Sequence, residues 1–263
     1  MTEERIEQAQ TAGILIIGNE LLTGKIDDVN ARFLIRALRT AGVRLERVLF
    51  VRDDLEIIAR EVGAMSAAYD HVFTSGGVGG THDDITLPAV ARAFELEVVE
   101  HPEMRALLHQ YFGDELKESH LRMARLPAGS EVCSGPGVKV PVVRTRNVFV
   151  LPGTPEHLRA KLPAILPYLR GTEVWLGEIY LRVYEELVAE DLAEAEDLVD
   201  AVEVGSYPRF DEGVDHKVKI TIDGPSEAEV ARVQAFLLDR WSEGQVLRTT
   251  GPLRVGGASG EAG

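Results

Sequence analysis

The chain is poor in cysteine, in positive charge and in long apolar runs. Cys133 is its only cysteine in 263 residues. No intrachain disulfide can form, and a zinc centre built from cysteines is excluded. No histidine partner for a cysteine nucleophile can be read from the sequence, so Cys133 reads as a small buried residue. Lys and Arg number 28 against 43 Asp and Glu, for a formal net charge of −15. This balance argues against a nucleic-acid partner, which calls for a basic footprint. It leaves nucleotides open, because a nucleotide site needs only local donors or a metal. No run approaches the about 18 apolar residues of a membrane-spanning helix, and residues 1–10 lack the hydrophobic core of a signal peptide. The expectation is a cytoplasmic protein with no membrane partner. His101, His109 and His120 fall on predicted helices without metal-ligand spacing.

What is present is an alternation of buried strands and amphipathic helices. Gly13–Ile17 is a continuous apolar run, the pattern of a strand covered on both faces. A loop, Gly18-Asn19-Glu20-Leu21-Leu22-Thr23-Gly24, follows, with Asp27 and Asp28 where helix caps stand. Phe33, Leu34, Ala37, Leu38 and Ala41 recur at helical spacing before a second strand, 43–51. Asp53 and Glu56 read as a capping box for the next helix. The third strand, 71–75, runs into Ser75-Gly76-Gly77-Val78-Gly79-Gly80-Thr81-His82-Asp83-Asp84, and a helix begins near Ile85. Two helices are predicted over 102–112 and 115–124, irregular hairpin strands over 132–143, and a strand over 147–151 that ends in Pro152-Gly153-Thr154-Pro155-Glu156. The β-α-β-α-β order implies a parallel sheet with helices on both faces. Ligands bind such sheets at the carboxyl ends of the strands.

The rhythm changes at Arg170-Gly171-Thr172. A β-α-β-β-α order over 173–246 suits a small α+β domain, and the Gly-rich segment 249–263 is expected to be disordered. The predicted organisation is therefore an α/β domain over 11–170, with a three-layer, mostly parallel sheet, followed by this smaller α+β domain.

The stretch 75–86 carries the chemistry. Glycines allow a sharp turn and close approach of a ligand. Free N–H groups at a helix start attract phosphate. Two adjacent carboxylates, Asp83 and Asp84, would repel a bare phosphate unless a divalent cation lay between them. Either can instead cap the helix starting at Ile85.

Three motifs in order carry a resemblance: Gly18-Asn19-Glu20-Leu21-Leu22-x-Gly24 with Asp28-x-Asn30; Ser75-Gly76-Gly77-x-Gly79 with Thr81-x-Asp83-Asp84-x-Thr86; and Leu151-Pro152-Gly153-x-Pro155-Glu156. Together they resemble the molybdopterin-binding, MoCF-type domain of the CinA (competence/damage-inducible protein) family over about 11–169. The small domain resembles the CinA middle domain. The segment 147–156 is similar to the version fused to eukaryotic FAD synthases. Residues 133–141 depart from the CinA pattern, and Gly80 stands where CinA usually has Pro. The resemblance implies a metal-dependent nucleotide pyrophosphatase that splits ADP-ribose or FAD-like dinucleotides and releases AMP. It also admits a non-catalytic molybdopterin- or nucleotide-binding protein, or a molybdopterin adenylyltransferase-like role. The implied cofactor is a divalent ion, Mg, Mn, Co or Ni, held by Asp83 and Asp84. Glu20 is a second metal ligand, a base, or a solvated loop acid. Gly18, Asn19, Asn30, Ser75, Gly76, Gly77, Gly79, Thr81, Thr86, Pro152, Gly153 and Glu156 are the expected ligand-binding residues. His82 is read as a bystander. The resemblance further implies a homo-oligomer, dimer or trimer.

Overall fold

A computed structural model describes residues 9–80, 84–211, 213 and 215–257. Thr81, His82 and Asp83 lie outside the described residues. The described residues divide into two compact units, 9–170 and 171–257.

In the first unit the described elements are β1 (Thr11–Ile17), α1 (Asn19–Leu22), α2 (Asn30–Thr40), β2 (Arg44–Val51), α3 (Leu55–Ala68), β3 (His71–Ser75), α4 (Thr86–Ala93), β4 (Val98–Glu100), α5 (Pro102–Phe112), α6 (Glu118–Arg122), β5 (Arg125–Pro127), β6 (Glu131–Cys133), β7 (Val142–Thr145), β8 (Val148–Leu151), α7 (Pro155–Ala160) and α8 (Leu162–Ile165). Six strands form one sheet in the order β2-β1-β3-β8-β7-β6. The first four are parallel, and β7 and β6 close the edge antiparallel.

The apolar runs follow from this placement. Along β1, Leu15 and Ile17 join one core with α3, α4 and α5; Ala12, Ile14 and Ile16 join the other with α2, α7 and α8. Side chains alternate between faces, so a strand covered on both sides must be apolar throughout. Phe73 on β3 and Phe149 on β8 stack at 5.3 Å on the second face. Cys133 is buried there as well. Burial pushes its thiol pKa up, so it stays protonated, as a core residue does.

Local readings need three adjustments. The loop 18–24 contains the one-turn helix α1. The cap of α3 is Asp54, which accepts from the N–H groups of Glu56 and Ile57; Asp53 instead accepts from Asn19 N at 2.9 Å. The β4–β5 ribbon is absent from the sequence reading, because three-residue strands leave no periodicity to detect.

The second unit contains β9 (Val174–Leu181), α9 (Ala189–Glu196), β10 (Glu203–Pro208), β11 (Val218–Gly224), α10 (Glu227–Arg240) and β12 (Val246–Gly256). Its sheet order is β10-β11-β9-β12, all antiparallel. Val230, Val233 and Leu237 of α10 pack on Ile179, Ile220 and Ile222. β12 corrects the expectation that chain order is lost from Thr249. Residues 249–256 pair with β9, but Gly251-Pro252 and three register shifts break the alternation that marks a strand. Among the described residues, no helix is long and apolar enough to cross a membrane.

Candidate functional site

The carboxyl ends of three neighbouring strands, β1, β3 and β8, bring the three predicted loops together. Gly76 is their meeting point. Its φ is +111°, and a Cβ there would lie 2.0 Å from the carbonyl oxygen of Ile17 at the end of β1. Its N–H donates to Leu151 O on β8 at 3.2 Å. A Cβ on Gly153 would touch Gly76 Cα at 3.3 Å. Only a residue without a side chain passes between these two strand ends.

Polar side chains fasten this junction. The Asn30 amide donates to Ser75 Oγ at 3.1 Å and to Gly153 O at 2.6 Å. Ser75 Oγ donates to Pro152 O at 3.2 Å. Thr86 Oγ1 donates to Gly76 O at 2.8 Å, and Thr86 N donates to Gly77 O. Asn30, Ser75 and Thr86 are all buried. These expected ligand contacts fasten the loops in this structure, and their polar atoms satisfy one another as buried groups must. Asp28 holds the start of α2 by accepting from the N–H groups of Asn30 and Ala31.

Beyond the junction, residues 77–79 are accessible. They line a cleft of about 300 Å³ with Asp84, Arg122 and Arg125. A Cβ on Gly79 would lie 2.5 Å from Asp84 Oδ2, so this carboxylate rests against the loop. A Cβ on Gly80 would lie 2.1 Å from Ser119 O. That close approach seats α6 on the loop and sets Arg122 beside it. Arg122 and Arg125 are exposed and make no ion pair among the described residues. Two unmatched cations facing a glycine loop, in a chain of net charge −15, suit an anion. Sequence reasoning missed both; the only signal is a basic residue at the end of α6 and another at the start of β5.

A second cleft, of about 540 Å³, shares Val78, Gly79 and Leu87 with the first. Its walls include Met104, Phe112, Met123, Val143 and Val150. Residues 137–141, part of the 133–141 segment that departs from the CinA pattern, form one side, and Pro152, His157 and Lys161 contribute from the β8–α7 region. Lys161 Nζ donates to Val140 O at 2.6 Å and Pro141 O at 2.7 Å. Burial lowers its pKa to about 8, while the two carbonyls favour the charged form. Lys161 also escaped the sequence reading, although it falls on the helical stripe of Leu158, Leu162 and Ile165.

Gly18, Asn19, Glu20, Asn30 and Glu156 line neither cleft. The Glu20 carboxylate folds back over Gly18, where a Cβ would lie 2.5 Å from Oε1. Glu156 is exposed in the first turn of α7. Among the described residues no three His, Cys, Asp or Glu side chains converge as a metal site would require. Asp84 is the one expected ion ligand that lies in the cleft, and Asp83, the other, lies outside the described residues.

Comparison with known proteins places this geometry among relatives. Residues 13–171 match the family described as "Probable molybdopterin binding domain", and residues 173–250 match "FAD synthase, middle domain". A "Probable FAD synthase" of Caenorhabditis elegans is 31% identical over 89% of this chain and 50% of its own length. A "CinA-like protein" of Myxococcus xanthus is 33% identical over 82% of this chain and 55% of its own. The chain thus spans about half the length of these curated relatives. The crystal structure of "the protein CinA with unknown function from Thermoplasma acidophilum" matches with a TM-score of 0.55 and 28% identity, covering 60% of this chain and 98% of that one.

Proposed function

This chain belongs to the family of probable molybdopterin binding domains, and on that premise we propose that it binds a diphosphate-bearing dinucleotide, such as FAD or ADP-ribose, and hydrolyses its phosphoric anhydride to release AMP. The observation that carries this reading is the 300 Å³ cleft lined at once by Gly77, Gly79, Arg122 and Arg125. Backbone N–H groups of a glycine loop hold phosphate oxygens, and arginine forks add paired, charge-assisted donors. Cations set where charge builds on a transferring phosphoryl group stabilise its transition state.

A divalent ion belongs to the proposal, with Asp84 as its described ligand; when bound, it would neutralise diphosphate charge. The test is incubation with FAD and with ADP-ribose in the presence of Mg²⁺, Mn²⁺, Co²⁺ or Ni²⁺, read as AMP release. AMP from either substrate supports hydrolysis. Tight binding without AMP supports the second reading, a binding protein. That reading is supported by the structural use of Ser75 and Thr86. AMP transferred to molybdopterin would place the chain with the adenylyltransferases instead. Self-association into a dimer or trimer is a further part of the proposal, measured by light scattering.

A further inference from the structure

The larger cleft holds a cation that diphosphate binding does not use. Lys161 joins α7 to α8 within the core-facing stripe of Leu158, Leu162 and Ile165. Two of its N–H groups hold the carbonyls of Val140 and Pro141, and so fix the 137–141 wall. An ammonium has three donors. The third has no partner among the described residues, and Lys161 lines the cleft. Lys161 is half-buried, so this third donor is open to a ligand oxygen entering the cleft.

The surroundings narrow that ligand. Leu87, Met104, Phe112, Met123, Val143 and Val150 give the cleft apolar walls, and no carboxylate is among its described lining residues. A bare ribose would leave these walls uncovered and its hydroxyls desolvated. A flat heteroaromatic ring covers apolar wall with little loss of conformational freedom, and a ring carbonyl accepts a hydrogen bond at its edge. The two clefts share Val78, Gly79 and Leu87 and so adjoin at the glycine loop.

We propose that Lys161 is the specificity-determining residue of this cleft, donating to a ring carbonyl of a flat, flavin- or pterin-type heterocycle carried by the diphosphate. The proposal rests on the reading of the glycine loop as a diphosphate site. Its test is calorimetric titration of the full chain with FAD and with ADP-ribose, for wild type and Lys161→Met. Wild type is expected to prefer FAD, and Lys161→Met to reduce the FAD-to-ADP-ribose affinity ratio at least tenfold. Should Lys161→Met not fold, Met123→Trp, which fills the same cleft, is expected to reduce the ratio likewise. Competition against FAD by riboflavin or by neopterin identifies the ring, and displacement by neither overturns the proposal. An unchanged ratio with ADP-ribose still bound overturns the role of Lys161 alone. Failure of wild type to bind either dinucleotide removes the diphosphate reading beneath it.

Discussion

Asn30 Nδ2 stands 3.1 Å from Ser75 Oγ, joining the start of α2 to the end of β3 across 45 residues of chain. The same amide reaches Gly153 O, so one side chain ties all three loops of the site. Asn30→Ala leaves the Gly153 carbonyl without its donor and Ser75 without one of its partners. A loss of about 1–3 kcal/mol is expected for buried groups left in this way. Urea denaturation measures it, and the same variant should bind dinucleotide more weakly, because the glycine loop loses its anchor.

Glycine-to-alanine substitutions should have opposite signs at two positions. At Gly76 the added Cβ meets Ile17 O at 2.0 Å in a backbone conformation with φ +111°. The β1 and β3 ends must separate, and the strained backbone alone costs on the order of 1–3 kcal/mol. Gly63 lies inside α3, where a Cβ finds no atom closer than Ala93 O at 3.9 Å. Gly63→Ala should therefore stabilise the fold by about 0.5–1 kcal/mol, the helix-propensity difference. Thermal melts of the two variants make the comparison.

Stability should fall on acidification through His71. This residue is 5% exposed, with Nε2 3.0 Å from Gln10 Oε1 and no partner at Nδ1. Its pKa is lowered below the ordinary 6.5 by burial, with Arg144 acting in the same direction and Asp70 opposing. The unfolded chain therefore takes up a proton at a higher pH than the folded protein does. The contribution of neutral His71 is complete above pH 6.5 and is lost as pH falls from 6.5 through the folded value. Denaturation midpoints across that window should show the slope, and His71→Gln should flatten it.

The arginines should separate binding from folding. Arg122 and Arg125 are exposed, so replacing either with Ala should alter stability by no more than about 0.5 kcal/mol. Dinucleotide affinity should fall about tenfold for each, with a weaker salt dependence than wild type, because each removes one charge that attracts phosphate.

The frame of the site was legible in the chain, and its occupants were not. The apolar runs at 13–17, 71–75 and 147–151 locate three parallel strands, because burial on both faces leaves no polar position. Topology then carries their loops to one sheet edge. The roles of Ser75, Asn30 and Thr86 could not be read, since a buried hydroxyl or amide that fastens loops has the same residue type as one that contacts a ligand. Arg122 ends a helix that the pattern does predict and Lys161 sits on a readable helical stripe between α7 and α8, while Arg125 opens a three-residue strand that leaves no periodicity. Charge alone does not mark a cation as site-facing until tertiary structure places it beside the glycines.

The diphosphate site is tested most directly by titration of ADP-ribose and FAD into wild type and into the Arg122→Ala/Arg125→Ala double variant, at fixed ionic strength with both proteins folded. Wild type is predicted to bind, and the double variant to bind at least about tenfold more weakly, as loss of charge-assisted donors to phosphate requires. Absence of binding by wild type, or equal affinity in the two proteins, would contradict the assignment of the glycine loop and its arginines as a diphosphate site.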